Sequence, residues 1–342
     1  MTSWDRKREL IDGALRDAME RFDARYHFDR ALTGFGADLR EFVVRPGRRL
    51  RPTLFLTILE GYGVDPNEEV LAVAAAIELL HDCALIHDDI VDDAEFRREG
   101  AAFHLSHNPA ASASNVGKGV LAGDLLYTFA VRLLLGDTPD ATRRRLLEHI
   151  LDVAAITSLA QLEEMHFIPR DPPADIFPHL LDLYDRKSGI YTFAAPMELA
   201  RLFADGPAGD RPLLHSIGVQ LGRAYQLQDD LSDIRSALEG DRDGAAAPPW
   251  EFNLAYAMLA AEGEIDTTAR ERDAVVSSIR TLLRRPPTLA ALERRVAPLV
   301  SSYIDEASSL MAAVSNAHRI HATLQSFFTQ IFDVLNGAAR EL

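Results

Sequence analysis

The sequence has one cysteine in 342 residues, Cys83, so no internal disulfide can form and a reducing, cytoplasmic setting is expected. The charged N-terminal stretch MTSWDRKRELIDG lacks the apolar core of a secretory signal, and none is expected. Long uninterrupted apolar runs are missing as well. The longest, from about Val70 to Ile90, is broken by Glu78, His81, Asp82 and His87, which predicts a buried helix and no stable membrane insertion. Basic charge is scarce: 36 Lys and Arg stand against 52 Asp and Glu, a formal net charge of −16. A nucleic-acid partner requires a basic field to offset its phosphates, so that class is excluded. Sustained apolar–polar alternation, the mark of half-buried strands, is absent, and so is any repeat of roughly 20–50 residues.

What the chain does have is helix-forming residues. Apolar side chains make up 47% of it, with Leu and Ala prominent, and a chain of this length can bury a large core. Helical periodicity predicts a helix over about 50–62 and another opened by Asn67, with Glu68 and Glu69 in its first turn, that runs toward Asp88. Further helices are predicted over about 119–135, 140–167, 187–204, 211–238, 250–262 and 267–284, with two more near the C-terminus. The breaks RDPPAD (170–175), DGPAGDRP (205–212) and EGDRDGAAAPP (239–249) are short, so one all-α domain over residues 1–342 is expected.

One short acidic motif occurs twice. Asp88-Asp89-Ile90-Val91-Asp92 is read as ending one apolar helix, and Asp229-Asp230-Leu231-Ser232-Asp233 as ending another. In each, the first and last Asp are four apart and project from one face. Like charges at that spacing repel, and on an apolar helix the penalty grows because buried unpaired charge is unfavourable. A cation between them removes it, and hard carboxylate oxygens suit Mg²⁺, which completes its shell with water and phosphate oxygens. A single Asp or Glu is by default solvated surface; two copies on apolar helices point to a metal clamp for a diphosphate, built like other carboxylate sites in helical bundles. Direct cationic donors are also present: Arg48, Arg49 and Arg51 in PGRRLRP, Arg97 and Arg98 just after the first motif, and Lys187 with Ser188 in KSG.

In chain order, PGRRLRP (46–52), ELLHDCALIHDDIVDD (78–93), Arg97-Arg98, VLAGDLLYTFA (120–130), AQLEE (160–164), DRKSG (185–189) and GRAYQLQDDLSD (222–233) resemble the motifs of the trans-isoprenyl diphosphate synthases. The likeness runs from about residue 40 to about 235. It implies an all-α bundle around a central cavity, usually in a homodimer, that joins isopentenyl diphosphate to an allylic diphosphate. It implies that Asp88, Asp92 and Asp229, with Asp233, hold Mg²⁺ (about three ions per site, with Mn²⁺ a possible substitute), and that Asp89 and Asp230 support them. Arg97, Lys187 and Gln226 are then expected on the allylic diphosphate. Arg48, Arg51, His81 and Arg98 are expected on the isopentenyl diphosphate, with Arg49 in the same basic cluster and Gln161 also substrate-binding. Cys83 and Ala84, small residues on the helix wall before Asp88, leave room for a product beyond fifteen carbons, so C20 is favoured unless bulk such as Phe129 intervenes.

Three departures stand out. Pro46 and Arg48 replace a Gly and a Lys of the family's GGKRLRP. The family's RRG(K/R)PT reads Arg97-Arg98-Glu99-Gly100-Ala101-Ala102. The stretch after the second acidic motif, about 234–250, has no Lys, leaving Arg235 or Arg242 as substitutes and Asp243 near an expected lysine position. An ordinary synthase, a divergent enzyme that cyclises or uses another acceptor, and a non-catalytic partner subunit are the accounts these departures leave open.

Overall fold

The computed structural model describes residues 3–30, 33–106, 113–136, 140–166, 173–239, 281 and 285–315. Its elements are α1 (Ser3–Tyr26), α2 (Phe35–Val44), α3 (Leu50–Gly61), α4 (Glu68–Val91), β1 (Phe96–Arg97), β2 (Gly100–Ala101), α5 (Ala113–Leu135), α6 (Ala141–His166), α7 (Pro173–Tyr184), a π-helical stretch (Asp185–Ala194), α8 (Ala195–Phe203), α9 (Asp210–Glu239) and α10 (Pro286–Met311). Among the described residues β structure is confined to the β1–β2 hairpin, and the all-α expectation holds. The chain forms two compact units, Met1–His149 with Leu199–Gly206 and Ile150–Glu198 with Pro207–Leu342.

In the first unit α4 is the central element, packed against α1, α3 and α5. The Asn67 side chain accepts the Val70 amide proton at 2.9 Å and starts the helix. Its middle turns, from Val73 to Ile77, are buried on every side, and the small alanines at 74, 75 and 76 let neighbouring helices approach. α4 has the length and composition of a membrane span, yet most of it is buried in the unit, and Glu78 and Asp82 are enclosed along with it. α1 carries Ile11, Leu15, Ala18, Met19 and Phe22 on one buried face. Phe129 of α5 stacks on Phe22 with centroids 4.1 Å apart.

In the second unit the π-helical stretch packs on α9, and α9 on α10. Glycines make the first contact possible. A Cβ on Gly222 would lie 2.2 Å from the Gly189 Cα, and one on Gly218 would lie 2.4 Å from the Ala194 amide nitrogen. Backbone therefore meets backbone there, closer than any side chain allows.

Several expectations need correction. α9 continues to Glu239, so Asp229–Asp233 lies inside a helix and does not end it. The helix expected over 187–204 is a π-helical stretch followed by α8, and α5 begins at Ala113 rather than Gly119. α1, α2 and α7 were not anticipated. α10 is one of the two C-terminal helices; the other, and those over 250–262 and 267–284, fall outside the described residues apart from position 281.

Candidate active site

Asp88 and Asp89 occupy the last turn of α4, and the Asp92 amide closes it by donating to the Asp88 carbonyl at 2.8 Å. Asp88 is half-buried and Asp92 exposed, whereas Asp89 is fully buried and its carboxylate is clasped by Arg97, whose Nε donates at 2.6 Å. The motif thus has two accessible carboxylates one turn apart and a third turned inward. Burial raises the Asp89 pKa, opposed by the Arg97 hydrogen bond.

After Asp92 the chain turns sharply through Asp93, at φ 51°, into the β1–β2 hairpin. Arg98 and Glu99, at φ 49° and 64°, form its turn. Both are left-handed, the geometry usually met by Asn-Gly, so a Glu stands where the motif has its glycine. The Arg98 side chain reaches back to α4, donating to Asp82 at 2.9 Å and to Glu78 at 3.2 Å. Gly47 lies against the Arg98 guanidinium. Glu78 also receives Arg49 at 2.8 Å. Burial pushes Asp82 up to about 7, with Arg98 the main opposing influence.

Arg49 departs from its expected place among phosphate donors. It is 2% exposed, and besides Glu78 it donates to Asp12 at 2.8 Å and to the Val43 and Arg45 carbonyls at 2.9 and 3.0 Å. A guanidinium fixed by four such bonds ties α1, α2 and α4 together. Arg48 is exposed and Arg51 half-buried at the start of α3. Burial first, and then Arg51, Arg98, Arg49 and Arg97, hold His81 well below the usual imidazole range, so those cations converge on a neutral ring.

The expected chain-length wall begins at Cys83, buried with its thiol pushed up to about 12 by that burial, and Ala84, half-buried. One turn on, the His87 ring packs so close to Gly123 of α5 that a Cβ there would lie 2.2 Å from Nε2. Phe129 is held in the aromatic stack with Phe22 and, at 5.6 Å, Phe28.

In the second unit Asp229 is half-buried and Asp230 buried, both on α9. Two neutral donors reach Asp230. The Tyr184 hydroxyl donates to one carboxylate oxygen, and Gln226 Nε2 donates to the other at 3.1 Å. The Gln226 carbonyl accepts from Ser188 at 2.7 Å. Lys187 is paired with the Glu164 carboxylate, and Gln161 lies half-buried one turn earlier on α6. Arg223 binds Asp185 through two 2.7 Å bonds and so fastens the π-helical stretch to α9. π-helical segments of this kind often accompany functional sites. The side chains of Asp233 and Arg235, and all of Arg242 and Asp243, lie outside the described residues.

Sequence reasoning passed over Arg45, Glu78, Asp82, Tyr184 and Glu164. Glu78 and Asp82 had a signal, two acids four apart inside an apolar helix; Tyr184 had none. Among the described residues no three Asp, Glu, His or Cys side chains converge into a ready-made metal cage. Asp88 and Asp92 still fit Mg²⁺, which takes one or two carboxylates and leaves the rest of its octahedron to water and phosphate.

The polyprenyl synthetase family model matches residues 36–241, and the chain belongs to that family. It is 30% identical over 196 residues to the geranylgeranyl pyrophosphate synthase of Geoglobus acetivorans, covering 57% of this chain and 58% of that one. It is 33% identical over 210 residues to the farnesyl diphosphate synthase of Escherichia coli K12, covering 58% and 66%. The matched stretch therefore spans less than two thirds of each relative. A solved geranylgeranyl pyrophosphate synthase from Corynebacterium glutamicum, complexed with isoprenyl diphosphate and magnesium, superposes with a TM-score of 0.75 over 96% of this chain and 99% of its own, at 20% identity. That likeness establishes the fold.

Proposed function

We propose that the chain is a magnesium-dependent trans-prenyltransferase that condenses isopentenyl diphosphate with an allylic diphosphate to a C15–C20 prenyl diphosphate, with C20 favoured. The observation that carries this reading is the buried layer behind Asp88 and Asp92. Arg97 is fixed by Asp89, and Arg98 by Asp82 and Glu78, so two guanidiniums are oriented before any substrate arrives.

Mg²⁺ bound at the aspartates would neutralise charge on the leaving diphosphate. Arg97, Ser188, Gln226 and Lys187 hold the allylic diphosphate, and Lys187 exchanges its Glu164 partner for phosphate as it does so. Arg48, Arg51, Arg98 and neutral His81 hold the isopentenyl diphosphate, with Gln161 contributing to substrate binding. Arg49 serves by holding Glu78. Cleavage of the allylic C–O bond gives a carbocation and free diphosphate. The isopentenyl double bond attacks that cation to form the new C–C bond, and the departing diphosphate takes the proton lost when the double bond re-forms. No side-chain base is required, and apolar walls exclude water. C20 is supported by Cys83 and Ala84 and by the confinement of Phe129 to its stack.

Residues 1–342 are read as one catalytic domain, a reading supported by the family model's unbroken match over residues 36–241. A cytoplasmic homodimer is supported by the single buried cysteine and by exposed Leu159, Leu162 and Met165 on α6. Cyclisation, or transfer to another acceptor, is the second reading, and the lysine-free stretch 234–250 favours it.

The test is purified protein with Mg²⁺ and isopentenyl diphosphate, offered C5, C10 and C15 allylic diphosphates in turn. Elongated diphosphates are expected. Hydrocarbons or prenyl alcohols from an allylic substrate alone would replace this reading with cyclisation. A protein that turns over nothing but alters the product of a co-purified synthase would be a partner subunit.

A further inference from the structure

We infer that Arg45 is a positioning residue that sets diphosphate affinity by clamping the hairpin that carries Arg97 and Arg98. Arg45 sits at the C-cap of α2 and is 7% exposed. Its Nη1 donates to carbonyls on both strands, Arg97 at 3.0 Å and Ala101 at 2.8 Å. The guanidinium plane is fixed from the other side by Glu41, which accepts from Nε at 2.9 and 3.0 Å and lies 2.8 Å from Nη2. The same group lies over the Phe42 ring, 5.1 Å from its centroid.

The hairpin requires such a clamp. Each strand is two residues long, and a two-stranded ribbon is marginal even when longer. Its turn forces two non-glycine residues, Arg98 and Glu99, into the left-handed region, which side chains with a Cβ rarely adopt. Without an outside tie the turn would relax, and the two arginines would leave the orientations that Asp89, Asp82 and Glu78 recognise. Gly100 makes room for the clamp: a Cβ there would lie 2.5 Å from the Arg45 Cζ. Arg45 also joins the buried layer through its own carbonyl, which accepts from Arg49 at 3.0 Å.

The inference rests on the reading of Arg97 and Arg98 as diphosphate ligands. Its test compares the wild-type chain with Arg45→Met, which keeps length but loses the fork, Arg45→Lys, which keeps charge with one donor head, and Gly100→Ala, which crowds the clamp from the hairpin side. Calorimetry with inorganic pyrophosphate and Mg²⁺ gives Kd, steady-state kinetics give KM for isopentenyl diphosphate and kcat, and circular dichroism checks the fold. Arg45→Met and Gly100→Ala are expected to weaken pyrophosphate binding and raise that KM by about tenfold, or about 1.4 kcal/mol, while kcat stays within about threefold. Arg45→Lys is expected to fall between them and wild type. Kd and KM shifts under about threefold in Arg45→Met and Gly100→Ala would overturn the role, as would a loss confined to kcat. If Arg45→Met fails to fold, Gly100→Ala and Arg45→Lys decide by the same criteria. If wild type binds pyrophosphate but turns over no substrate pair, the proposed function fails while the Kd comparison still judges Arg45. Wild type that binds no pyrophosphate would overturn both.

Discussion

Asp89 and Asp230 hold the same place in two copies of one acidic motif, yet the donors described on them differ. Asp89 is buried against a guanidinium, with a second arginine tied to Asp82 and Glu78 nearby. Asp230 is buried against a phenol and an amide, on a helix held by glycine contacts. A charged clasp orients strongly, but removing one partner strands a buried charge. A neutral clasp loses only hydrogen bonds, and its geometry depends on close packing. The first motif is therefore expected to be sensitive to charge and pH, the second to volume.

The largest effect breaks both motifs alike. Asp88→Ala and Asp229→Ala are each expected to lower kcat by about a thousandfold or more in the Mg²⁺-dependent elongation assay; near-normal turnover in either would refute its metal role. Next, Arg49→Met removes the closer of the two guanidiniums on buried Glu78 and the one that pairs with Asp12, and is expected to destabilise the protein by about 3–5 kcal/mol, read from urea midpoints. In the second unit, Gly222→Ala drives a Cβ into the Gly189 backbone and is expected to cost about 1–3 kcal/mol. Tyr184→Phe, which removes one donor from buried Asp230, is expected to cost about 1–2 kcal/mol. If Tyr184→Phe proved more damaging than Arg49→Met, the contrast between the two clasps would be wrong.

The last effect is read as a slope against pH. Asp82 titrates at about 7 in the folded protein against 3.8 for an ordinary Asp. The folded chain therefore binds more protons than the unfolded chain between about pH 4 and 7, and this contribution to stability is lost as pH rises through that window. Asp82→Asn is expected to flatten the fall in urea midpoint across the window. An unchanged slope would show that Asp82 is ionised throughout.

The ordered motifs were legible in the sequence because their spacing puts Asp88 with Asp92, and Asp229 with its neighbours, on defined helix faces. The basic cluster was legible as composition but not as geometry. PGRRLRP presents three arginines that look alike, and only the packing of α1, α2 and α4 turns Arg49 inward and leaves Arg48 exposed. α1 could have been found, since Ile11, Leu15, Ala18, Met19 and Phe22 follow helical spacing. Tyr184 could not, because a hydroxyl partner 46 positions along the chain leaves no local trace. The second motif was read as a helix end because acids gather at helix ends, yet α9 runs past it to Glu239.

By itself the sequence determined the all-α class, the two acidic motifs and the family, since periodicity and motif order are properties of the chain alone. The tertiary structure decided which carboxylates are accessible and which are clasped, which arginine is structural, and that Arg45 grips the Arg97–Arg98 hairpin across Gly100. Those outcomes depend on which distant groups meet and how much water is excluded when they do, and neither is written in local spacing.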